Sequence, residues 1–287
     1  MSAELTLENT AIVTDSTCDP PERYWSTAGL VIVPLRVHFG SETYRDGVDL
    51  KPPQFFEKLA ASRVLPTTSQ PPRSEFEAVY RGLLERYEHV ISVHLSRNMS
   101  GTYEAARAAA EGSPNVHVFD TGNVTTTMSL AVERLWARLA RGTTLAEVTA
   151  FLERFYDEGR ILIYTATLEF LRRGGRIDRA SSMIGEIFGI RPLIEINRGH
   201  IDPYAKVRGV KRQTEAMVAY LERYAPRGRE LHLAFTHAAC PEGVPPLREA
   251  LLAARPDAIV DVEGAVAAVV GTHIGPQAVA FALITEP

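Results

Sequence analysis

The segment HVISVHLSRNMSGTYEAARAAA, residues 89–110, decides the fold because it joins a strand to a helix. Its first six residues form an apolar run typical of a buried strand, and residues 104–110 are an alanine-rich helix former. The turn between them, residues 95–103, is rich in hydroxyls and contains Gly101. Free backbone N–H groups and the positive end of the helix dipole point out of such a turn, so the segment predicts a site for a carboxylate or a phosphate.

The composition is that of a globular protein that is long enough to form two domains. The chain has 287 residues, of which 45% are hydrophobic and 23% charged. A net charge of −4 without a basic block argues against nucleic acid as the main partner. Cys18 and Cys240 are the only cysteines, so no disulfide framework is indicated. The first residues lack a secretory pattern and the longest apolar run, residues 264–271, is too short to cross a bilayer, so a cytoplasmic location with only transient membrane contact is expected.

Strand-like and helix-like segments alternate through the first half of the chain. This alternation predicts a mainly parallel sheet with helices on its faces. The predicted strands are residues 10–14, 30–37, 89–94 and 115–120, and the predicted helices are residues 54–61, 74–87, 128–141 and 145–158.

The pattern changes near Gly159, where antiparallel signals begin. A hairpin is predicted around Asn197-Arg198-Gly199 because Gly199 suits a tight turn. The other predicted strands are residues 161–164, 230–236, 258–262, 265–270 and 279–284, and the predicted helices are residues 168–172, 181–188, 213–224 and 246–254. The sequence therefore predicts two α/β domains, residues 1–158 and 159–287, the second with a mixed or antiparallel sheet and helices, and a ligand between the domains.

Three further polar segments are candidates for binding. Residues 66–72 (PTTSQPP) hold hydroxyls between prolines ahead of a helix, where they either bind a ligand or cap the helix. His273 stands between Gly271 and Gly275 at a predicted strand end, where it either pairs with an anion and relays a proton or is structural. Residues 172–176 (RRGGR) suit a phosphate or an acidic protein surface, or form a solvated helix end.

Several catalytic signatures are missing from the sequence. It contains no Walker A loop, no G-x-G-x-x-G, no H-E-x-x-H and no G-x-S-x-G elbow, so Ser100 is not an esterase nucleophile by pattern. His237 and Cys240 have the spacing of a metal half-site, but no second ligand pair accompanies them. We therefore expect no metal and no cofactor.

The ordered set of motifs resembles the DegV family of bacterial fatty-acid-binding proteins. The matching residues are 14–17 (TDST), 68–71 (TSQP), 95–96 (LS), 100–103 (SGTY), 171–177 (LRRGGRI) and 271–276 (GTHIGP). The resemblance implies two α/β domains and a role as the lipid-presenting subunit of fatty acid kinase. A separate ATP-binding kinase subunit would phosphorylate the bound acyl carboxylate, and the acyl phosphate would feed phospholipid synthesis.

The resemblance also assigns roles to individual residues. Thr68 and Ser100 correspond to the pair that hydrogen-bonds the carboxylate, and His273 to a group beside the headgroup that matters for phosphoryl transfer. The full set carried over is Thr68, Ser69, Ser100, Gly101, Thr102 and His273 for the headgroup, Arg176 and Arg208 for the phosphate or the docked kinase, and His273 and Arg208 for the transfer step. The chain departs from the family pattern where Gln277 replaces the usual Gly, Thr121 the usual Ser and Arg173 a common Lys.

These observations predict a carrier, not an enzyme in its own right, that binds a long-chain fatty acid in an apolar tunnel. The tunnel could be lined by Met183, Ile187, Phe188 or Ile190, although such residues also form ordinary core. Two alternatives remain open: a stand-alone acyl-transfer enzyme that uses Ser100 and His273, and a binding protein for a non-lipid phosphorylated metabolite.

Overall fold

A computed structural model describes residues 4–183 and 191–286 of the chain. Within these residues the strands β1 to β15 are, in order, Glu4–Leu5, Thr10–Asp15, Leu30–Val33, Arg36–Phe39, Glu42–Arg45, Thr67–Ser69, His89–His94, Val116–Asp120, Thr143–Thr144, Arg160–Tyr164, Arg191–Asn197, His200–Val207, Glu230–Ala238, Ile259–Ala265 and Ala278–Glu286. The helices α1 to α9 are Pro52–Ala61, Arg73–Leu84, Thr102–Ala109, Thr126–Leu139, Leu145–Glu158, Glu169–Arg173, Val210–Tyr224, Val244–Ala254 and Ala268–Ile274. None of the described helices is both long and apolar enough to cross a membrane.

The first half of the chain forms a four-stranded parallel sheet, as predicted. Its strand order is β3-β2-β7-β8, and all of its registers are parallel. Every residue of β2 is buried, which fits a strand covered on both faces. Helices α2 and α3 pack on one face around Phe76 and Tyr80, and α4 packs on the other face around Met128 and Leu135. The carboxyl ends of β2 and β7 therefore emerge side by side.

The second half forms a six-stranded mixed sheet of order β12-β11-β10-β15-β13-β14, which confirms the predicted fold class. Only the β13–β14 pair is parallel. One face of the sheet packs on α7 and α8 through residues such as Leu162 and Phe281. The opposite face, with Ile161 and Ala280, turns toward α4, α5 and the parallel sheet. The hairpin β11–β12 turns at Arg198 and Gly199, as predicted.

Two strand predictions in the first half are wrong in detail. Residues 30–37 do not form one strand, because the chain breaks after Val33 and re-forms as β4 from Arg36. Pro34 lies at the break, and the backbone N–H of Leu35 donates to Ser16 Oγ (3.0 Å). Residues 67–69, expected in a loop, form the short strand β6, which joins β4 and β5 in a three-stranded antiparallel sheet.

The prediction of a strand at residues 265–270 is also wrong. Ala265 ends β14, and the chain then forms helix α9 from Ala268, so His273 lies in the last turn of a helix. The run is apolar throughout, and periodicity alone cannot separate a buried strand from a buried helix there. Tertiary contacts decide the outcome: Asp19 accepts the N–H of Ala267 (2.8 Å) and Asp46 accepts that of Ala268 (2.9 Å).

The sheets divide near residue 159, where the sequence changes character. Strands before this point form the parallel and three-stranded sheets and the β1–β9 pair, whereas strands after it form the six-stranded sheet. Helix α4 contacts both large sheets, and its Arg138 pairs with Glu286 of β15 (2.9 Å). The division into domains 1–158 and 159–287 remains a proposal. Of the segment predicted as helix 181–188, residues up to Met183 form a 3-10 turn, and residues 184–190 lie outside the described part.

Candidate functional site

A cavity of about 300 Å³ lies between the carboxyl ends of the parallel strands and the inner face of the six-stranded sheet. Leu95, after β7, lines it from the first side. Ile161 and Ile163 of β10 and Ile194 and Ile196 of β11 line it from the second. The cavity is thus in the place that was predicted for a ligand, and most of its wall is apolar.

The alternation of residue size along β15 creates room for this cavity. Ala278 and Ala280 face the cavity, whereas Val279 and Phe281 point to the opposite face and pack in the α7–α8 core. Each alanine leaves a volume that a larger aliphatic side chain would fill. The small-large alternation is visible in the sequence but was not used in the prediction. Of the residues suggested for the tunnel, Met183 is buried but is not in the wall, and Ile187, Phe188 and Ile190 lie outside the described residues.

One end of the cavity is polar and open to the surface. Thr68 of β6 and His273 of α9 meet there, with Oγ1 of Thr68 2.9 Å from Nε2 of His273. Thr68 pairs with Val37 of β4, which places its side chain on the cavity face of the small sheet. Ser69 also lines the opening, but its Oγ lies 2.9 Å from Nε2 of His38. The hydroxyl of Ser69 is therefore engaged with His38, whereas that of Thr68 is engaged with His273.

The turn after β7 brings a second hydroxyl to this opening. Ser100 lines the cavity, and its Oγ lies 2.9 Å from Oγ1 of Thr102, the first residue of α3. The N–H of Thr102 also donates to Ser100 Oγ (3.3 Å), and Thr102 is buried behind it, outside the wall. Gly101 packs closely against Gln70, because a Cβ there would lie 2.2 Å from Oε1 of that side chain. The structure therefore joins the two predicted hydroxyl segments at one opening.

Three glycines position His273. Gly271 packs against Phe55, where a Cβ would come within 2.6 Å of the ring, and Gly275, with φ +73°, follows the helix at its C-terminal end. Gly174, from the RRGGR segment, leaves space for the imidazole, because a Cβ at 174 would lie 2.3 Å from Nδ1 of His273. Two motifs that were read separately in the sequence are thus one packing unit.

His273 is a neutral group in this setting. Burial lowers its pKa to about 4, and the nearby Arg176 guanidinium acts in the same direction. Within residues 4–183 and 191–286 its Nδ1 has no hydrogen-bond partner. A neutral imidazole that carries its proton on Nε2 donates to Thr68 and leaves the Thr68 hydroxyl proton for a ligand.

The arginines of the prediction separate into two groups. Arg176 lines the cavity, and it bridges the opening by donating to Met99 O (3.2 Å) and to Gly174 O (2.8 Å). Arg208 follows β12, is exposed and lies outside the cavity wall. In the six-stranded sheet β12 is three strands away from β15, which corresponds to roughly 14 Å. Arg172 and Arg173 pair with Glu169 (2.7 and 2.5 Å). Arg176 is thus the arginine at the cavity.

A buried network that the sequence did not reveal holds the strand ends beside the cavity. Asp15 Oδ2 accepts from Leu95 N (3.1 Å) and lies 3.0 Å from His94 Nδ1, while Asp15 Oδ1 accepts from Thr17 N (3.1 Å). Asp15 therefore caps the turn after β2 and also ties β2 to β7. His94 was missed because it is distant from Asp15 in the sequence. Thr17, Thr125 and Thr236 also line the cavity and were not predicted as functional residues.

One acidic cluster with a histidine lies away from the cavity. Oxygen and nitrogen atoms of Glu230, His232 and Glu286 are close enough together to suit a metal ion. However, His232 already contacts Asp261 (2.8 Å) and Glu230 (2.6 Å), and Glu286 pairs with arginines of α4. These contacts favour a structural ion-pair network between α4 and the six-stranded sheet.

The fold is α/β, with a mostly apolar cavity between its two large sheets. The chain belongs to the DegV family: the family model, described as an uncharacterised protein of the DegV family, matches residues 9–286. A DegV domain-containing protein of Deinococcus radiodurans is 36% identical over 276 residues, 95% of this chain and 97% of that protein.

Solved structures of the family share the fold over nearly the whole chain. A fatty-acid-binding DegV family protein of Thermus thermophilus is 32% identical, with a TM-score of 0.91 over 96% of this chain and 99% of that chain. DegV of Bacillus subtilis, described as a fatty acid binding protein, is 30% identical, with a TM-score of 0.83 over 97% of this chain and 100% of that chain.

Proposed function

We propose that the protein binds a long-chain fatty acid, with its tail in the cavity and its carboxylate at the Thr68–Ser100 opening. The observation that carries this proposal is the distribution of residues along the cavity wall. The wall is apolar along most of its length and ends in neutral hydroxyls, a neutral histidine and one arginine. Fatty-acid binding by the similar T. thermophilus and B. subtilis proteins supports it.

The energetics of such a ligand divide between tail and headgroup. Each buried methylene contributes about 0.8 kcal/mol, so the tail supplies most of the affinity. The Thr68 and Ser100 hydroxyls donate to the carboxylate and set its orientation. Arg176, which is exposed at the opening, adds a positive charge close to it. Gly101 and the start of α3 complete the anion-binding turn, Thr102 contacts the Ser100 hydroxyl from behind, and Ser69 lies at the edge of the opening with its hydroxyl on His38.

We further propose that the bound carboxylate is presented to a separate ATP-binding kinase subunit and becomes an acyl phosphate for phospholipid synthesis. The headgroup end of the cavity is its open end, since Thr68 and Ser100 are only half-buried. The sequence lacks a Walker A loop, so a partner would supply the nucleotide and its metal. In this scheme His273 holds Thr68 and the carboxylate during transfer, and Arg176 and the more distant Arg208 meet the phosphate or the kinase surface. The cytoplasmic location remains a prediction from the sequence.

Mass spectrometry of the purified protein tests the first proposal. We expect a co-purifying acyl chain, and a delipidated sample that takes up stearate or oleate one to one. Absence of lipid together with no uptake would overturn the proposal. The second proposal predicts that a fatty acid kinase subunit and ATP convert the bound acid to acyl phosphate only when this protein is present. Equal turnover of free fatty acid without it would contradict the presentation role.

Contacts at the opening favour a carrier over an acyl-transfer enzyme. The Ser100 hydroxyl is engaged with Thr102, and Nε2 of His273 is engaged with Thr68, so the described contacts do not include a nucleophile–base pair between Ser100 and His273. The apolar wall likewise favours a lipid over a phosphorylated metabolite. Turnover of acyl esters that is lost in Ser100→Ala would reverse this preference.

A further inference from the structure

We propose that the inner part of the cavity holds a second polar subsite, centred on Thr236, which selects acyl chains that carry a hydroxyl or oxo group near their middle. This inference rests on the proposed fatty-acid binding and specifies the class of acid. Thr236 lies on β13 opposite Ala280 of β15, and both residues line the cavity.

The Thr236 hydroxyl has no hydrogen-bond partner. Its side chain lies in the cavity wall with the residue only 2% exposed, and its Oγ1 finds no donor or acceptor in the described part of the chain. A buried hydroxyl of this kind costs stability unless something in the cavity pairs with it. Because no group in the described part of the chain pairs with it, the partner must come from the ligand or from a water molecule that a ligand oxygen displaces.

Two more threonines surround the same region. Thr17 and Thr125 line the cavity, and Thr125 N donates to Thr17 O (2.7 Å). The Thr17 hydroxyl donates to Asp15, so it offers a lone pair, whereas Thr125 Oγ1 accepts from the N–H of Thr126 and its hydroxyl also interacts with the Asp19 carboxyl. Thr125 has φ 60° and ψ −148°, a conformation that costs free energy for a β-branched residue.

Hydrogen bonds at the start of α9 bring these elements together. Val266, which lines the cavity, donates to the carbonyl of His237, the neighbour of Thr236. Ala267 donates to Asp19, two residues beyond Thr17. All three threonines line the cavity, and these backbone contacts connect the segments that carry them; there Thr236 can both donate and accept, and Thr17 can accept.

The distance from the headgroup places this subsite at the middle of a long acyl chain. His273 lies in the last turn of α9 and Val266 just before its first turn, about 10 Å away at 1.5 Å per residue. An extended acyl chain advances about 1.3 Å per carbon for C–C bonds of about 1.5 Å, so roughly the eighth to tenth carbons reach the level of Thr236. A methylene there leaves the hydroxyl unpaired, whereas a hydroxyl or oxo group pairs with it, and this difference produces selectivity.

Calorimetric titration of delipidated protein with three acids tests the subsite. The acids are octadecanoate, 10-hydroxyoctadecanoate and, as a positional control, 2-hydroxyoctadecanoate. We expect wild-type protein to bind the 10-hydroxy acid about fivefold more tightly than the plain acid, the scale of one added hydrogen bond. Thr236→Val should abolish that preference, so that the variant binds the plain and 10-hydroxy acids equally.

Thr14→Val is the matched control, because Thr14 is also a buried strand threonine without a hydrogen-bond partner but lies outside the cavity wall. It should retain the preference. Equal affinity of wild-type protein for the plain and 10-hydroxy acids would overturn the subsite and would indicate a buried water as the partner of Thr236. The proposal of fatty-acid binding would not be affected by that result. Failure of all three acids to bind would overturn both proposals.

Discussion

Nε2 of His273 lies 2.9 Å from Oγ1 of Thr68, although 205 positions separate the two residues in the chain. Thr68 comes from the small antiparallel sheet, and His273 from the helix that precedes the last strand. The contact orients the hydroxyl of Thr68 toward the cavity opening, and burial together with the nearby Arg176 keeps His273 neutral. It also makes the opening sensitive to changes in any of the elements that hold these two side chains.

Removing either hydroxyl at the opening should weaken fatty-acid binding. Thr68→Val and Ser100→Ala each delete a donor to the carboxylate, so we expect a loss of about 1–3 kcal/mol in binding free energy. Displacement of a fluorescent fatty acid measures it. Ser69→Ala is the control, since its hydroxyl contacts His38 and should affect binding little. Unchanged affinity in both test variants would remove the two residues from the carboxylate site.

His273 should make the folded state less stable in acid. Its pKa is lowered to about 4 by burial, whereas the imidazole of the unfolded chain titrates near its usual 6.5. Between these values unfolding takes up a proton, so the free energy of unfolding falls as pH decreases from about 6.5 to about 4, by up to about 3 kcal/mol from this group.

Urea unfolding of wild-type protein and His273→Gln at several pH values measures this effect. The variant should show a shallower loss of stability over the same range. Some slope should remain, because burial also lowers the pKa of His117 and His237. Identical slopes for the two proteins would show that His273 titrates normally in the folded state.

The two carboxyls at the start of α9 should act in the opposite direction. Burial raises the pKa of Asp19 to about 8 and that of Asp46 to about 7, above the usual value near 3.8. Between about pH 4 and pH 8 the unfolded carboxyls are ionised while the folded ones stay protonated, so rising pH favours unfolding. Asn mimics the protonated acid and can still accept the helix N–H.

We therefore expect Asp19→Asn and Asp46→Asn to gain stability relative to wild-type protein at pH 8, by at least about 1 kcal/mol more than at pH 5. Chemical denaturation at the two pH values measures the difference. Asp257→Asn is a suitable contrast, because Arg255 holds the pKa of Asp257 at about 2 and this variant should not show the gain. A uniform loss at both pH values would indicate that the two acids are ionised in the folded state.

Gln277 should be replaceable by glycine with a gain in stability. Its φ of 63° lies in the left-handed region, which is unfavourable for a residue with a side chain, and its N–H donates to Ala238 O (2.7 Å). Gln277→Gly should stabilise the protein by about 1 kcal/mol. Gln277→Ala keeps the Cβ and should gain nothing, so equal behaviour of the two variants in thermal denaturation would contradict the backbone argument.

Gly174 should be intolerant of even a methyl group. A Cβ there would lie 2.3 Å from Nδ1 of His273, so Gly174→Ala must displace the imidazole from Thr68. We expect a loss of about 1–3 kcal/mol in stability, typical of overpacking, together with weaker fatty-acid binding. Gly82→Ala in α2 is the control, because a Cβ at 82 meets nothing within 4 Å. Normal binding by the Gly174 variant would show that the ring position is not critical.

Local signals in the sequence were sufficient for most elements. The parallel sheet follows from buried apolar runs such as β2, and the β11–β12 hairpin follows from the turn at Gly199. The error at residues 265–270 has a different origin. That run is apolar on every side, and its helical state depends on Asp19 and Asp46, which are 248 and 222 positions away in the sequence.

The candidate site shows the same division between local and distant information. Thr68, Ser100 and His273 were recognisable from the short motifs that carry them, and the structure brings all three to one opening. Thr236 carries no such signal, because a threonine within an apolar strand is ordinary core in sequence. Only its position opposite Ala280, on the face that the alanines leave open, shows that its hydroxyl points into the cavity.

The dependence of α9 on distant acids has a consequence for the timing of synthesis. The helix that carries His273 is held at its first turn by Asp19 and Asp46. Thr68 gains its contact with His273 only after this helix has been synthesised. A nascent chain that has not yet emerged past residue 274 has one side of the headgroup opening and lacks the other. Contacts of such long sequence separation form late in folding. A ribosome-bound chain would therefore hold no fatty acid until this helix is released, and lipid uptake would report that folding is complete.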